Sequence, residues 1–421
     1  MHSDTDGDRH NRASRLRDVP AVVKLLLASM ALFNVGFYLV VPYLAVHLSD
    51  TLGFSAAMVG IVLGLRTFSQ QGMFFLGGSI GDRLGRRPVI LCGISIRIIG
   101  FVILTVADAS AAVVLGVLLI GFAAALFAPA VESANAEFGR ELEQSGVMRR
   151  TELFGWEQMS SRLGTVIGPV LGAVLLMFPF AVSAAAAALL FAGLWVCFYL
   201  LFPARDATAA TVALPEVWTT VAKNRAFMMF AALCSMQFVA LAQVYLMLPE
   251  HLDRTVGSQS ALGWFYGGAA VLVIAGQRPM LRAANRIGRR TAIVGGLTLM
   301  AMSFVIPAVP FAFGNPTAVV SYLVLSGWLA VLYLGQMLMV PTMRDALAVL
   351  ARERHLGAHF GMLNTIGGTL ALGAGAGTGL LYDHAASAAA PWLATAAVTA
   401  VAALLLWYWS RTNDPWLPRP G

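Results

Sequence analysis

The chain has 421 residues, of which 58% are hydrophobic and only 12% charged, and its mean hydropathy is +0.76. That charge content is roughly half of what a soluble domain carries, which excludes a water-soluble globular protein and predicts a polytopic membrane protein. The net charge of +7 has no clustered soluble domain to sit in, so nucleic acid is excluded as a partner and topology explains the excess.

A helix crosses ~30 Å of hydrocarbon with ~20 residues, and twelve apolar stretches of that order can be placed, near 20–48, 55–79, 88–108, 111–134, 151–177, 180–203, 224–249, 258–280, 290–313, 316–345, 355–383 and 387–411. The predicted fold is therefore all-α, with residues 1–19 a polar tail, 20–203 and 223–411 two six-helix bundles, 204–222 a polar linker containing Pro215, and 412–421 a second tail. No small-residue cleavage site follows the first apolar run, so that run reads as an uncleaved first helix. Twelve spans put both termini on one face. Arg66, Arg97 and Arg162 fall inside spans and Arg254 lies in a loop opposite the termini. The other basic residues gather on the terminal face, which the positive-inside rule makes cytoplasmic.

In chain order, span one carries Asn34 and Tyr38 among apolar residues. Span two holds Arg66 near mid-depth with Gln70 one turn on, on the same helix face. Ionisable groups in hydrocarbon are costly, so each is a functional candidate. Between spans two and three runs Gly78-Ser79-Ile80-Gly81-Asp82-Arg83-Leu84-Gly85-Arg86-Arg87, a compact basic turn with one acid, which would face the positive end of a neighbouring helix. Glu132 stands near the terminal-face end of span four and is expected to join the charges of that turn. Span five contains Phe154-Gly155-Trp156-Glu157-Gln158, then Arg162, then Gly164, Gly168, Pro169 and Gly172. The glycines present a flat face to a neighbouring helix and Pro169 bends the span. A pure packing role is compatible with the same pattern. Glu157 is the acid placed clearly within an N-half span, which makes it the candidate proton carrier, with a static ion pair as the alternative.

The second half offers no mid-membrane acid. It supplies Gln237, Tyr245, Trp264, Tyr266, Trp328, Tyr333 and Gln336, the aromatic and carboxamide surface of a large, mostly apolar site for amphipathic molecules. Asn34, Tyr38, Arg66, Gln70 and Gln158 are the matching candidates of the first half. Cys92, Cys197 and Cys234 are scattered singly, so neither disulfide nor metal spacing exists. No phosphate-binding loop consensus, cofactor signature or reactive cluster is visible, so neither ATP drive nor an enzyme is expected. The arginine-dominated, alanine- and glycine-rich composition points to a bacterial source.

The basic turn recurs, degenerate, as Asn285-Arg286-Ile287-Gly288-Arg289-Arg290. At the same offset Ser55, Gly60, Gly64 and Gly93 match Ser258, Gly263, Gly267 and Gly296. Shifted by one, His47-Leu48 matches His251-Leu252. The two halves share an origin.

A basic turn of this kind between the second and third helices of each half resembles that of the major facilitator superfamily. The resemblance implies two pseudo-symmetric six-helix bundles related by an axis along the membrane normal. It implies that Gly78, Asp82, Arg83, Gly85, Arg86 and Arg87 act as a latch that ties the bundles together on the cytoplasmic side, against span eleven. Gly164 to Gly172 resembles the superfamily's antiporter motif, which favours export over import. Val40-Val41-Pro42, Val59 to Arg66 and Gln70-Gln71-Gly72 resemble the MdtH-type branch of bacterial drug:proton antiporters. The chain departs from the pattern at Val117, where proton-driven members usually carry arginine, and at Asn34, where multidrug members often carry an acid. Arg66 is the expected electrostatic substitute. The expectation is thus a monomeric, multi-pass inner-membrane exporter of amphipathic small molecules, with protons and the lipid bilayer as its other partners and Glu157, Arg66 and Glu132 coupling the proton. An importer of the same fold is the alternative.

Overall fold

The computed structural model describes residues 19–74, 84–107, 109–148, 150–175, 177–203, 214–314, 316–351 and 356–413. These are nearly all helical, with no strand among them. Twelve long segments follow one another: α1 Ala21–Val46, α2 Ala56–Gln71, α3 Arg86–Val106, α4 Ser110–Gln144, α5 Arg150–Leu175, α6 Phe180–Leu201, α7 Arg225–Val256, α8 Leu262–Ile287, α9 Arg289–Ala312, α10 Ala318–Leu350, α11 Leu356–His384 and α12 Ala390–Asn413. One turn of π-helix, His47–Thr51, continues α1, and a short helix, Leu214–Lys223, precedes α7.

Among the described residues, eight of these segments are long and apolar enough to cross a membrane: α1, α3, α4, α6, α7, α9, α10 and α12. The remaining four, α2, α5, α8 and α11, make the main contacts across the interface between the halves, α2 against α11 and α5 against α8, with α7 against α1 beside them. A lipid-facing helix can be uniformly apolar, whereas one facing a protein interior can carry polar and small residues.

Each half has its own aromatic core. In the first, Phe101, Phe127 and Phe191 are fully enclosed; in the second, Trp328 and Trp392 cross edge to face at 4.8 Å beside Phe304. Three side chains interlock the two, because Leu246 packs into the first core while Tyr43 and Ala56 pack into the second.

The internal repeat survives as matched geometry. Gly85 and Gly288 both have φ 85°, a left-handed turn that a side chain would strain. After each comes the same pair of anchors. Arg86 pairs with Glu137 and donates to Ser133 Oγ at 3.0 Å on α4, as Arg289 pairs with Asp345 on α10. Arg87 donates to the Tyr199 carbonyl at 2.6 Å at the end of α6, as Arg290 does to the Trp407 carbonyl at 3.4 Å on α12. The matched histidines both pack on aromatic rings: half-buried His47 stacks on Phe180, which opens α6, and fully buried His251 packs against Phe311 and Trp392.

Candidate functional site

The contact between the halves starts at the end of α2 opposite the termini. Ser55 caps α2, and the first two free amides of the helix, those of Ala56 and Ala57, donate to the two carboxylate oxygens of Asp383, each at 3.0 Å. Asp383 belongs to α11 of the other half, so this carboxylate binds the positive end of a helix across the bundle interface. Below it α2 and α11 touch backbone to backbone. A Cβ on Gly60 would overlap the Gly375 carbonyl, and one on Gly379 would overlap the Ala56 carbonyl. At the far end Thr365 Oγ1 donates to the Gly72 carbonyl at 3.0 Å.

The antiporter-like segment of α5 uses its glycines against α1. Side chains at Gly164 and Gly168 would collide with Ala31 and with Tyr38, and one at Gly172 with the Tyr43 ring. Close approach of α5 therefore seats the two α1 tyrosines at the interface. Tyr43 donates to the Pro169 carbonyl at 3.2 Å and meets Tyr266 of α8 edge on, with ring centroids 6.2 Å apart. Asn34 serves the same packing, donating to the Met30 carbonyl at 2.8 Å and to Ser161 Oγ at 3.1 Å.

At mid-depth, Arg66 is 6% exposed; it donates to Gln70 Oε1 at 2.6 Å and lies 4.7 Å above the Phe37 ring, while its Nε has no hydrogen-bond partner. Around it stand tyrosines from four helices. Tyr245 of α7 lies within electrostatic reach of Arg66, of Tyr38 on α1, of Tyr266 on α8 and of Tyr333 on α10. Tyr245 and Tyr266 stack at 5.8 Å, and Tyr245 meets Phe37 edge on at 6.0 Å. Arg162 of α5, within reach of Tyr38, donates across the interface to Gln277 of α8 at 3.3 Å.

Glu157 belongs to a second group. It faces Glu132 and the Asn135 amide on α4, and Glu132 in turn lies within reach of Arg344 on α10 of the other half. Asn135 is fully buried, with its carboxamide against the Glu157 carboxylate. Glu157 and Arg66, both expected to couple the proton, have different neighbours, Glu132 and Asn135 for the one and Gln70, Phe37 and Tyr245 for the other.

Several candidates stand elsewhere. Trp328 lies in the second core, and Gln237 is buried within the second half, where it donates to Met343 Sδ at 3.3 Å. Trp264 is 86% exposed and faces outward on a groove of about 430 Å³ between α8 and α10. Gln336 is half-buried on α10. Gly78, Asp82, Arg83 and the Gln158 side chain lie outside the described residues, while Arg86 and Arg87 make the anchors within their own bundle described above. Sequence reasoning missed Asp383, Gln277, Asn135 and Arg344. For Asp383 a signal existed: an acid in the last turn of a helix opposes the local dipole unless it serves the start of another.

The family profile described as Major Facilitator Superfamily matches residues 26–253. An uncharacterised MFS-type transporter of Mycobacterium tuberculosis is 32% identical over 353 residues, 82% of either chain. Multidrug resistance protein MdtH of Escherichia coli O9:H4 is 29% identical over 371 residues, 87% of this chain and 88% of that one. Among solved structures, an auto-inhibited POT family peptide transporter superposes with a TM-score of 0.77 at 16% identity, covering 93% of this chain and 97% of that one; this likeness speaks for the fold alone. With a profile spanning more than half its length and a relative this similar over four-fifths of it, the chain belongs to the major facilitator superfamily.

Proposed function

We propose that this transporter is a proton-coupled exporter of amphipathic small molecules that works by alternating access between its two bundles. The observation that carries the reading is the central Arg66–tyrosine group, assembled from six helices of both halves. A ligand there touches both bundles at once and can favour one relative arrangement over another. The terminal face is taken as cytoplasmic from its arginines, so Asp383, Tyr43 and Tyr266 close the periplasmic side and Glu157 stands on the cytoplasmic side of the site. Glu157 carries the coupled proton, with Glu132 as its neighbour and Arg344 as the charge that reaches Glu132 from the opposite bundle. MdtH, named a multidrug resistance protein, and the fit of α5 against α1 both favour export of drug-like compounds. The chain acts as a monomer in the inner membrane.

The test is flux in proteoliposomes of known orientation. An inwardly directed proton gradient should drive an amphipathic dye uphill out of the cytoplasmic-side compartment, and collapse of the gradient should stop it. Downhill flux indifferent to the gradient would remove the coupling, and uptake in the opposite sense would make the protein an importer.

A further inference from the structure

The central group has a charge imbalance that its own residues do not correct. Arg66 is nine-tenths buried, and a second buried cation, Arg97, stands within its electrostatic reach. Arg97 is enclosed by the rings of Phe191, Phe127 and Phe101 at 4.5, 5.3 and 5.8 Å. Arg162 adds a third guanidinium within electrostatic reach of Tyr38. Among the described residues none of the three pairs with a carboxylate. Gln70, Gln277 and the aromatic faces take their place, and Arg66 Nε is left unused. Glu157 and Glu132 belong to the separate group nearer the terminal face.

A desolvated guanidinium without a counter-ion is costly, and a binding site tolerates one where the ligand brings the missing charge. The other polar atoms agree. Guanidinium N–H groups can only donate, and the phenol hydroxyls of Tyr38, Tyr245 and Tyr333 can donate to an oxyanion as readily as accept, whereas that of Tyr266 already donates to the Pro42 carbonyl at 3.4 Å. Phe37 and the tyrosine rings offer apolar surface beside them. We infer that the substrate is an amphipathic organic anion, with its carboxylate or other oxyanion held by Arg66 and the tyrosine hydroxyls and its apolar body against Phe37 and Tyr245. This rests on the central group being the transport site. Exchange of an anion outward for a proton inward moves two positive charges inward per cycle, so flux should respond to membrane potential twice as steeply as for a neutral substrate.

The experiment measures binding to the purified full chain in lipid nanodiscs with three ligands of one shape: naphthoate, naphthamide and naphthylmethylammonium. Naphthoate should bind on the order of tenfold tighter than naphthamide, as expected for a charge-assisted hydrogen bond, and naphthylmethylammonium weakest. Arg66→Gln should bring naphthoate down to the naphthamide level, Arg66→Lys should retain part of the preference, and Arg162→Gln should weaken it. Thermal melting identifies any variant that fails to fold, and the ranking on the unaltered protein decides independently of all variants. Equal affinities, a preference for the cation, no saturable naphthoate binding, or a preference that survives both Arg66→Gln and Arg162→Gln would overturn the inference. Its failure is separable from that of the export reading. A protein that binds naphthoate but moves none of it against a proton gradient keeps the anion site and loses the exporter, and one that exports only the ammonium probe does the reverse.

Discussion

Glu157 and Asn135 define the chemistry at the scale of single residues. A carboxylate whose neighbours are a second carboxylate and an uncharged amide has no fixed counter-charge, so a proton is what can neutralise it. Glu157→Gln holds the neutral form permanently. Substrate should still bind, with an affinity that no longer varies with pH, while uphill export driven by a pH gradient should be lost. Affinity titrated across the pH range in both proteins checks this; identical profiles would make Glu157 a structural residue and move attention to Glu132. Asn135→Leu supplies the contrast: it removes the amide beside Glu157, so the pH dependence of affinity should shift, at a cost of about 1–3 kcal/mol that thermal melting measures.

The elements that meet across the interface are made for close contact, and two of them lend themselves to direct tests. Asp383 holds the first turn of α2 from the opposite bundle; losing such a cap costs about 1 kcal/mol, or about a fivefold shift in a two-state equilibrium. Asp383→Ala should therefore raise accessibility on the side opposite the termini. Thiol labelling of a cysteine placed at the buried Ala56 measures this, in a background from which the exposed Cys92 and Cys197 have been removed. Unchanged labelling would show that the contact does not hold that side shut. On the other side of the molecule, Gly168→Leu would force a branched side chain into Tyr38 where α5 lies on α1. Overpacking of this kind costs typically 1–3 kcal/mol. Export should fall more than the yield of folded protein does, whereas loss of folded protein alone would assign the segment to packing.

For the whole molecule, the question is how two bundles exchange faces and what drives them. One proton entering down one pH unit yields about 1.4 kcal/mol and a potential of 100 mV adds about 2.3 kcal/mol, together enough for a substrate gradient of a few hundredfold at one-to-one exchange with a neutral substrate. The two states must then lie close in energy, and the contacts of each face set the balance. Asp82, expected in the cytoplasmic latch, lies outside the described residues. Asp82→Asn should weaken the state closed on the cytoplasmic side, so that transport falls while ligand affinity survives and cysteine accessibility on the two faces shifts in opposite senses.

Hydropathy and the repeated basic turn were enough to give the helices and their division into halves, and the resemblance of that turn gave the family, because the bilayer requires every spanning segment to satisfy its own backbone within a helix. The match of Gly85 with Gly288 and of His47 with His251 was likewise readable, since an inherited repeat keeps its turns and its ring contacts. Which polar residues meet was not readable. Trp328 and Gln237 differ in no local way from Tyr245 and Tyr333, yet the first two lie inside their own half, while Tyr245 reaches Arg66 and Tyr333 stands within reach of Tyr245. Glu157 and Arg66, both deep in their spans, belong to different groups, and Asp383 finds its partner on α2, far away along the chain. A span's composition fixes that it lies in the membrane; its rotation and its neighbours depend on side-chain packing between helices distant in sequence, and only the tertiary structure decided those.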